Sequence, residues 1–296
     1  MSKILYTDGN GKFVEQDWSR PQCGDDEIAV RAVMTGVCRS DIDMMVGDFG
    51  PLPIHMSGHE GLGKVIEVGK NIPVVKVGDY VATRGEPAYA DEYNVRQGEF
   101  VLVPEAHPRY ILEPVACGIN VVTQELEQIR KRCIKGSRLL ILGSGFLAWV
   151  AYKTIKNLHL DIDIDVVGRS NKNTWGDILQ ERPEGNYDVV IDLLGKPFTN
   201  VNNGALIVAG VARDISKKED EELLWKACTT VRPSPRTSSF AYAMSYARDW
   251  IIDGRLEVDI FWTKGYNRTT EWQQAFDDAL NRPAGYSRGY IYWDNN

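Results

Sequence analysis

The chain has 296 residues, 43% of them hydrophobic and 25% charged, which is typical of a folded globular protein. Its formal charge is −7 and its basic residues form no long block, so neither a nucleic-acid partner nor an anionic membrane is expected. No apolar run reaches the length of a membrane span, and the first residues lack the apolar core of a signal peptide. Five scattered cysteines without CxxC spacing argue against a disulfide framework and favour a reducing compartment, the cytoplasm by default.

The first third of the chain predicts short strands. Residues 3–8, 27–37, 63–69 and 79–83 are rich in β-branched and aromatic side chains and are bounded by Gly, Pro and Asp. The pattern changes near residue 110, because residues 112–133 show the apolar spacing of a helix with a proline in its first turn. A β-rich region is therefore followed by a region of different architecture.

That second region alternates strand and helix signals. Residues 137–158 predict a buried strand, a glycine turn and a helix, and further strand runs occupy residues 163–168, 187–195 and 204–210. Such α/β alternation implies a parallel sheet with helices on its faces.

Two helices and a strand are predicted towards the end of the chain. The helices lie at 239–253 and 271–281, and the strand at 287–293. We predict two domains: a β-rich one formed by residues 1–115 and 264–296, and a nucleotide-binding one formed by residues 116–263.

A dinucleotide-binding fingerprint lies between the predicted strand and helix of residues 137–158. Gly143, Gly145 and Ala148 match the pattern G-x-G-x-x-A, and Phe146 and Leu147 complete the loop. The first glycine permits the tight turn, the second lets the backbone approach a pyrophosphate, and the helix N-terminus faces the phosphates. The alternative is a tight βα turn that binds no ligand.

The next strand ends without the acid that would hold the ribose of NAD. Gly168 occupies that place and is followed by Arg169 and Ser170. No carboxylate there repels a 2′-phosphate, while a guanidinium and a hydroxyl can bind one, so NADP is preferred over NAD. A solvated loop with incidental charges is the alternative. Only twelve residues, 174–185, separate this loop from the next strand, so the third strand of the sheet is missing or vestigial.

A candidate metal site comes from Cys38, His59 and Glu60. Zn²⁺ accepts thiolate, imidazole and carboxylate ligands, and a catalytic site uses three of them and leaves a fourth position open. Taken singly, Cys38 reads as a core thiol and His59 as a hydrogen-bonded structural residue, so their combination carries the prediction.

Several segments, in order along the chain, resemble the zinc-dependent medium-chain alcohol and polyol dehydrogenases. They are "GVCRSD" (36–41), "GHEGLGKVIEVGKNI" (58–72), "KVGDYVA" (76–82), "LEPVACGINVV" (112–122) and "GSGFLA" (143–148). The resemblance implies an α/β protein with a β-rich, GroES-like catalytic domain and a Rossmann-type, doubly wound nucleotide-binding domain, here abbreviated.

The same resemblance implies roles for individual residues. Cys38, His59 and Glu113 are the expected zinc ligands, with Cys117 as the rival third ligand. Glu60 is expected beside the metal as a close carboxylate or a transient ligand.

Asp41 is expected to accept the second ring N–H of His59. Ser40 is expected to bond the substrate hydroxyl and begin the proton relay, and Arg39 to contact the cofactor pyrophosphate. The relay histidine that many family members carry is replaced by Asp43 and Met44.

The sequence also departs from the family pattern. Residues 78–95 pass to the next strand without the four-cysteine lobe that holds a structural zinc, so one catalytic zinc and no structural zinc are expected in a shortened member. The predicted function is hydride transfer between NAD(P) and a secondary alcohol, polyol or sugar. A metal-free quinone or enoyl reductase of the same fold and a non-catalytic nucleotide-binding relative are the alternatives. Homodimeric and homotetrameric assembly are both left open.

Overall fold

The computed structural model describes residues 2–132, 136–194, 201–208, 228–231 and 238–294. By their internal contacts the residues form two compact units. The first comprises Met1–Pro114, Met244–Ile252 and Glu257–Asn296, and the second Val115–Ala243 and Asp253–Leu256. Residues 244–252 and 257–263 thus group with the first unit, whereas the sequence-based boundaries place them in the second. Arg248 is one link, since its Nη1 donates to the carbonyl of Leu102 (3.4 Å).

The first unit is built on β-sheets, as its segments rich in β-branched and aromatic side chains predict. Its strands are β1 (Ser2–Tyr6), β2 (Val14–Trp18), β3 (Glu27–Gly36), β4 (Gly61–Val68), β5 (Tyr80–Thr83), β6 (Glu92–Arg96), β7 (Phe100–Val103), β14 (Trp262–Asn267) and β15 (Arg288–Tyr292). β1 and β2 form an antiparallel pair, and the other seven strands form one sheet in the order β14-β15-β3-β4-β5-β7, with β6 also paired to β3.

Two α-helices of the first unit are α1 (Arg39–Met45) and α7 (Trp272–Asn281). Single 3-10 turns lie at Ile54–Met56, Pro108–Tyr110 and Asp259–Phe261.

The pairing of β3 with β4 brings the segments that flank these two strands together. Thr35 lies opposite Gly61 in an antiparallel register, and the Gly36 N–H donates to the Glu60 carbonyl (2.9 Å). Glycine is required at 61, because a Cβ there would lie 2.1 Å from the hydroxyl of Tyr93 and 2.3 Å from that of Thr83. The end of β3 and the start of β4 are therefore held side by side.

The second unit contains a six-stranded parallel sheet in the order β10-β9-β8-β11-β12-β13. This is the 3-2-1-4-5-6 order of a doubly wound nucleotide-binding fold. Its strands are β8 (Arg138–Leu142), β9 (Asp163–Val167), β10 (Leu179–Gln180), β11 (Tyr187–Asp192), β12 (Val201–Val208) and β13 (Cys228–Val231). β10 is the third strand of this sheet along the chain, and it has only two residues. The vestigial strand inferred from the short 174–185 segment is therefore confirmed.

The remaining helices are α2 (Glu113–Gln124), α3 (Leu126–Arg132), α4 (Phe146–Asn157), α5 (Lys172–Trp175) and α6 (Ser238–Ile252), with a 3-10 turn at Gly176–Ile178. The single helix predicted at 112–133 is two helices separated at Glu125, and Cys133 lies outside the described residues. Gly195 and residues 209–210, predicted as strand ends, also lie outside them. Within the described ranges, no helix has the length and hydrophobicity to cross a bilayer.

A buried polar network ties α7 to β14. The Asp278 carboxylate accepts hydrogen bonds from the Tyr266 hydroxyl (2.6 Å), Lys264 Nζ (2.7 Å) and Gln274 Nε2 (2.7 Å). Burial alone raises the pKa of this carboxyl, but the three hydrogen bonds outweigh burial and the pKa is lowered.

We expect Asp278→Asn to destabilise the protein by about 1–3 kcal/mol at pH 7, because charge-assisted hydrogen bonds are lost in a buried site. The folded pKa of Asp278 lies below the unfolded value of about 3.9. Its contribution is thus complete above that pH and disappears as the pH falls through the folded pKa. Urea unfolding of wild type and variant from pH 7 to pH 3 measures this, with the exposed neighbour Asp277→Asn as the matched control. A stability difference that does not shrink in acid would contradict it.

Candidate functional site

The first candidate centre lies where β3 ends and β4 begins. Cys38 directly precedes α1, and His59 and Glu60 directly precede β4. One ligand atom from each of these three residues lies within 4.8 Å of the other two. Cys38 is half-buried, the His59 side chain is 17% exposed and Glu60 is fully buried. Among the described residues the structure therefore brings together the thiol, imidazole and carboxylate that the sequence singled out.

Asp41 lies in the first turn of α1 and is buried. Its Oδ2 accepts hydrogen bonds from the Cys38 N–H (2.8 Å) and the Tyr89 hydroxyl (2.8 Å). Its Oδ1 lies 3.7 Å from Nδ1 of His59 and has no hydrogen-bond partner. The carboxylate is thus fixed by one oxygen, and its other oxygen is directed at the imidazole that the sequence paired with it.

Glu60 has a partner that sequence reasoning missed. Nη2 of Arg288 donates to Oε1 of Glu60 (2.6 Å) and also to Oε2. Arg288 opens β15, which pairs with β3 so that Tyr290 lies opposite Gly36, and its guanidinium lies 4.9 Å from the ring centre of Trp262. No local sequence signal identifies this arginine, because 228 residues separate it from Glu60 and only the sheet order brings them together.

Glu113 begins α2 and is 4% exposed. It is not among the three residues whose ligand atoms lie within 4.8 Å of one another. Its charge nevertheless acts on the centre, since it contributes to the raised pKa of His59 and of Arg288. Cys117, the rival ligand, is half-buried in the second unit.

The other predicted residues of this segment lie on α1. Ser40 is half-buried in its first turn. Arg39 is largely exposed, and its Nε lies 2.9 Å from Oδ1 of Asp43, one helical turn away. Asp43, which stands where the family relay often has a histidine, is therefore buried and paired with a cation. The predicted contact of Arg39 with a cofactor pyrophosphate stays a prediction.

The electrostatics of the centre favour an added cation. Burial, and then the charge of Glu60, raises the pKa of the Cys38 thiol, and burial also raises the pKa of Asp41. Burial alone lowers the pKa of His59, but Asp41 and Cys38 outweigh it and raise that pKa well above its usual value. The buried carboxylates of Asp41, Glu60 and Glu113 thus outnumber the Arg288 guanidinium and the His59 imidazolium, and an unsatisfied Asp41 oxygen faces the imidazole. A divalent cation held by soft and borderline donors fits this set.

The second candidate centre is the glycine loop between β8 and α4. Gly143 has φ +118°, which only glycine adopts without strain, and Gly145 is the N-cap of α4. Phe146 is buried at the first position of the helix and Leu147 is half-buried beside it. The loop therefore has the strand–turn–helix context that the fingerprint requires.

The loop after β9 lies against this glycine turn. A Cβ at Gly168 would lie 2.2 Å from the hydroxyl oxygen of Ser144, so the position accepts no side chain. Arg169 and Ser170 are exposed beyond it. The arrangement leaves a cation and a hydroxyl, and no carboxylate, where the ribose of a dinucleotide is expected.

We expect Arg288→Leu to lower the free energy of unfolding by about 3–5 kcal/mol, because it leaves the fully buried Glu60 charge without its partner. Adding Glu60→Gln should recover most of that loss. The matched control is Arg31→Leu, which breaks an ion pair whose arginine is 60% exposed and should cost about 1 kcal/mol or less. Urea unfolding measures all four proteins, and equal losses for Arg288→Leu and Arg31→Leu would contradict the expectation.

Comparisons with known proteins agree with this architecture. The family model described as the alcohol dehydrogenase GroES-like domain matches residues 24–110. D-arabitol-phosphate dehydrogenase of Enterococcus avium is 27% identical, over 89% of this chain and 90% of that protein. D-arabinitol dehydrogenase 1 of Uromyces fabae is 23% identical, over 88% and 89%.

Among solved structures, the alcohol dehydrogenase TADH of Thermus sp. ATN1 superimposes with a TM-score of 0.78 at 16% identity, over 99% of this chain and 100% of that one. A mycobacterial quinone oxidoreductase gives 0.77 at 18% identity, also over 99% and 100%. At such identities the superpositions show the fold alone. The GroES-like match over residues 24–110 and the relatives that span most of the chain support the medium-chain dehydrogenase family, whose fold the chain shares.

Proposed function

We propose that this protein is a zinc-dependent oxidoreductase that transfers hydride between NADP and a secondary alcohol group of a polyol or sugar. The observation that carries the proposal is the cluster of Cys38, His59 and Glu60, whose ligand atoms lie within 4.8 Å of one another, with the charge of the buried Glu113 acting on His59. A metal-free reductase does not require a thiol, an imidazole and carboxylates at this spacing.

The relatives narrow the substrate class. Two relatives that match most of the chain are named for arabitol phosphate and arabinitol. A third, D-xylulose reductase of Morganella morganii, is 35% identical over 30% of this chain. We therefore propose five-carbon polyols and their ketoses, free or phosphorylated, as the substrates to test first.

The proposed zinc ligands are Cys38, His59 and Glu113. Glu60 is the less suitable third ligand, because both of its oxygens already accept from the Arg288 guanidinium and its charge is neutralised there. Glu113 brings a buried carboxylate whose charge already acts on His59. Glu60 then lies beside the metal as a hydrogen-bond acceptor. Its charge and that of Arg288 together determine the electrostatic field at the site.

The reaction converts a secondary alcohol and NADP⁺ into a ketone, NADPH and a proton. When bound, Zn²⁺ supplies a Lewis acid for the substrate oxygen and the nicotinamide supplies the hydride acceptor. In our proposal the Ser40 hydroxyl bonds the substrate hydroxyl and takes up its proton at Oγ while releasing its own towards solvent. Asp41 holds the tautomer and orientation of His59 through Oδ1.

The cofactor preference rests on the loop after β9. Gly168 excludes the carboxylate that binds the ribose of NAD, and the exposed Arg169 and Ser170 offer a cation and a hydroxyl to a 2′-phosphate. A phosphate is an acceptor-only anion, so both groups stabilise it.

We expect purified protein to hold one zinc per chain and Cys38→Ser to lose it, because serine does not supply a thiolate ligand. Cys23→Ser is the matched control, since that half-buried thiol lies in the same unit and is hydrogen-bonded to the carbonyls of Gly24 and Glu27. Metal analysis reports occupancy, and oxidation of arabitol, xylitol and their phosphates with NADP reports activity. Wild-type activity in metal-free protein, or in Cys38→Ser, would refute the zinc mechanism.

A second prediction concerns Asp41→Asn, which should weaken zinc binding about 10- to 100-fold while preserving the shape of the side chain. The amide can still accept from Cys38 and Tyr89 with its oxygen, but its NH₂ group then faces the imidazole of His59 as a second donor. Competition against a chromogenic chelator measures the affinity. Asp43→Asn, a buried carboxylate on the same helix, is the control, and equal weakening by both substitutions would contradict the role given to Asp41.

A further inference from the structure

Ser144 occupies the middle position of the G-x-G turn, for which the fingerprint specifies no residue type. It is 3% exposed, although it carries a hydroxyl and sits in a loop. Buried hydroxyls in proteins make hydrogen bonds, and the partners of this one lie in the loop after β9.

Four hydrogen bonds join Ser144 to that loop and to helix α5, which follows it. Its hydroxyl oxygen accepts from the Ser170 N–H (3.0 Å) and lies 3.0 Å from the Ser170 hydroxyl oxygen. Its carbonyl accepts from Asn171 Nδ2 (2.9 Å) and from the indole N–H of the buried Trp175 (3.0 Å). The glycine turn and the loop after β9 are therefore one hydrogen-bonded unit.

Burial assigns the direction of the hydroxyl pair. Ser144 is buried, so its hydroxyl hydrogen needs an acceptor, and among its described contacts Ser170 Oγ supplies one; the reverse direction would leave that hydrogen unsatisfied. Asn171 Nδ2 also lies 3.5 Å from Ser170 Oγ and points a donor at it. With donors on its inner side, the exposed Ser170 hydroxyl directs its hydrogen outward, towards an acceptor on a ligand.

Ser144 also shapes the position before Arg169. A Cβ at Gly168 would lie 2.5 Å from the Cβ of Ser144 and 2.8 Å from its backbone nitrogen, besides the contact with its hydroxyl. The space that an acidic side chain would need at the end of β9 is thus filled by Ser144.

We propose that Ser144 is a positioning residue for cofactor choice: it excludes a carboxylate at position 168 and orients Ser170 as an outward donor for the 2′-phosphate of NADP. This inference rests on the proposed NADP-dependent function and deepens it. A ribose hydroxyl can adapt as donor or acceptor, whereas a phosphate only accepts, so the oriented donor favours the phosphorylated cofactor.

The test compares wild type with Ser144→Ala and Ser170→Ala by fluorescence titration with NADPH and NADH. We expect each substitution to weaken NADPH binding about tenfold, as for the loss of a hydrogen bond to a charged group, and to change NADH binding by about twofold or less. The double variant should be no weaker than either single one, because both remove the same interaction. With substrate, KM for NADP should rise while kcat stays unchanged.

Thr154→Val is the matched control, since it removes a buried hydroxyl from the neighbouring helix α4, where Thr154 bonds the Val150 carbonyl. It should leave both affinities unchanged. Equal weakening of NADPH and NADH by Ser144→Ala, or weakening by neither, would overturn the inference while the wild-type preference for NADPH still stood. A wild type that prefers NADH or binds neither would overturn the proposed cofactor itself, before any variant is measured.

Discussion

The antiparallel pairing of β3 with β4 is the constraint on which the candidate metal centre depends. It places Thr35 opposite Gly61, so that the residues just beyond β3 and just before β4 meet. Cys38 and His59 are 21 positions apart in the sequence, yet one strand pairing brings their side chains within ligand distance of a common ion. Glycine at 61 is part of the same constraint, because a side chain there would collide with Tyr93 and Thr83 and spread the strands.

The carboxylates of Glu60 and Asp41 differ in how fully their oxygens are hydrogen-bonded. Glu60 is matched by Arg288, whereas Asp41 Oδ1 faces the imidazole of His59 with no donor of its own. A buried ion pair contributes little net stability, because desolvation offsets its attraction, so the Glu60–Arg288 pair is better explained by position than by stability. It keeps the Glu60 carboxylate occupied, which is why we propose Cys38, His59 and Glu113 as the donors for a metal.

How far the sequence predicts this molecule depends on whether the signal is local. Local spacing in the sequence identifies the fingerprint around Gly143 and Gly145 and also the Cys38–His59 pair. The six-stranded order, with its vestigial third strand, agrees with the short segment before β11. The break of the 112–133 helix at Glu125 was missed, because apolar periodicity continues across it. Arg288 was missed because its role exists only once β15 pairs with β3.

The two candidate centres share one physical device, although they lie in different units. In each, a short buried side chain accepts a backbone N–H and also faces a second group: Asp41 accepts from Cys38 and faces the His59 imidazole, and Ser144 accepts from Ser170 and lies against Gly168. In each case the hydrogen bond to the backbone fixes the short side chain, and the fixed side chain then orients the side chain next to it. Such residues touch neither substrate nor cofactor in our proposals, so a ligand inventory overlooks them. In our proposals they orient the imidazole of His59 and the hydroxyl of Ser170, so position within a hydrogen-bonded network is a criterion for function in addition to proximity.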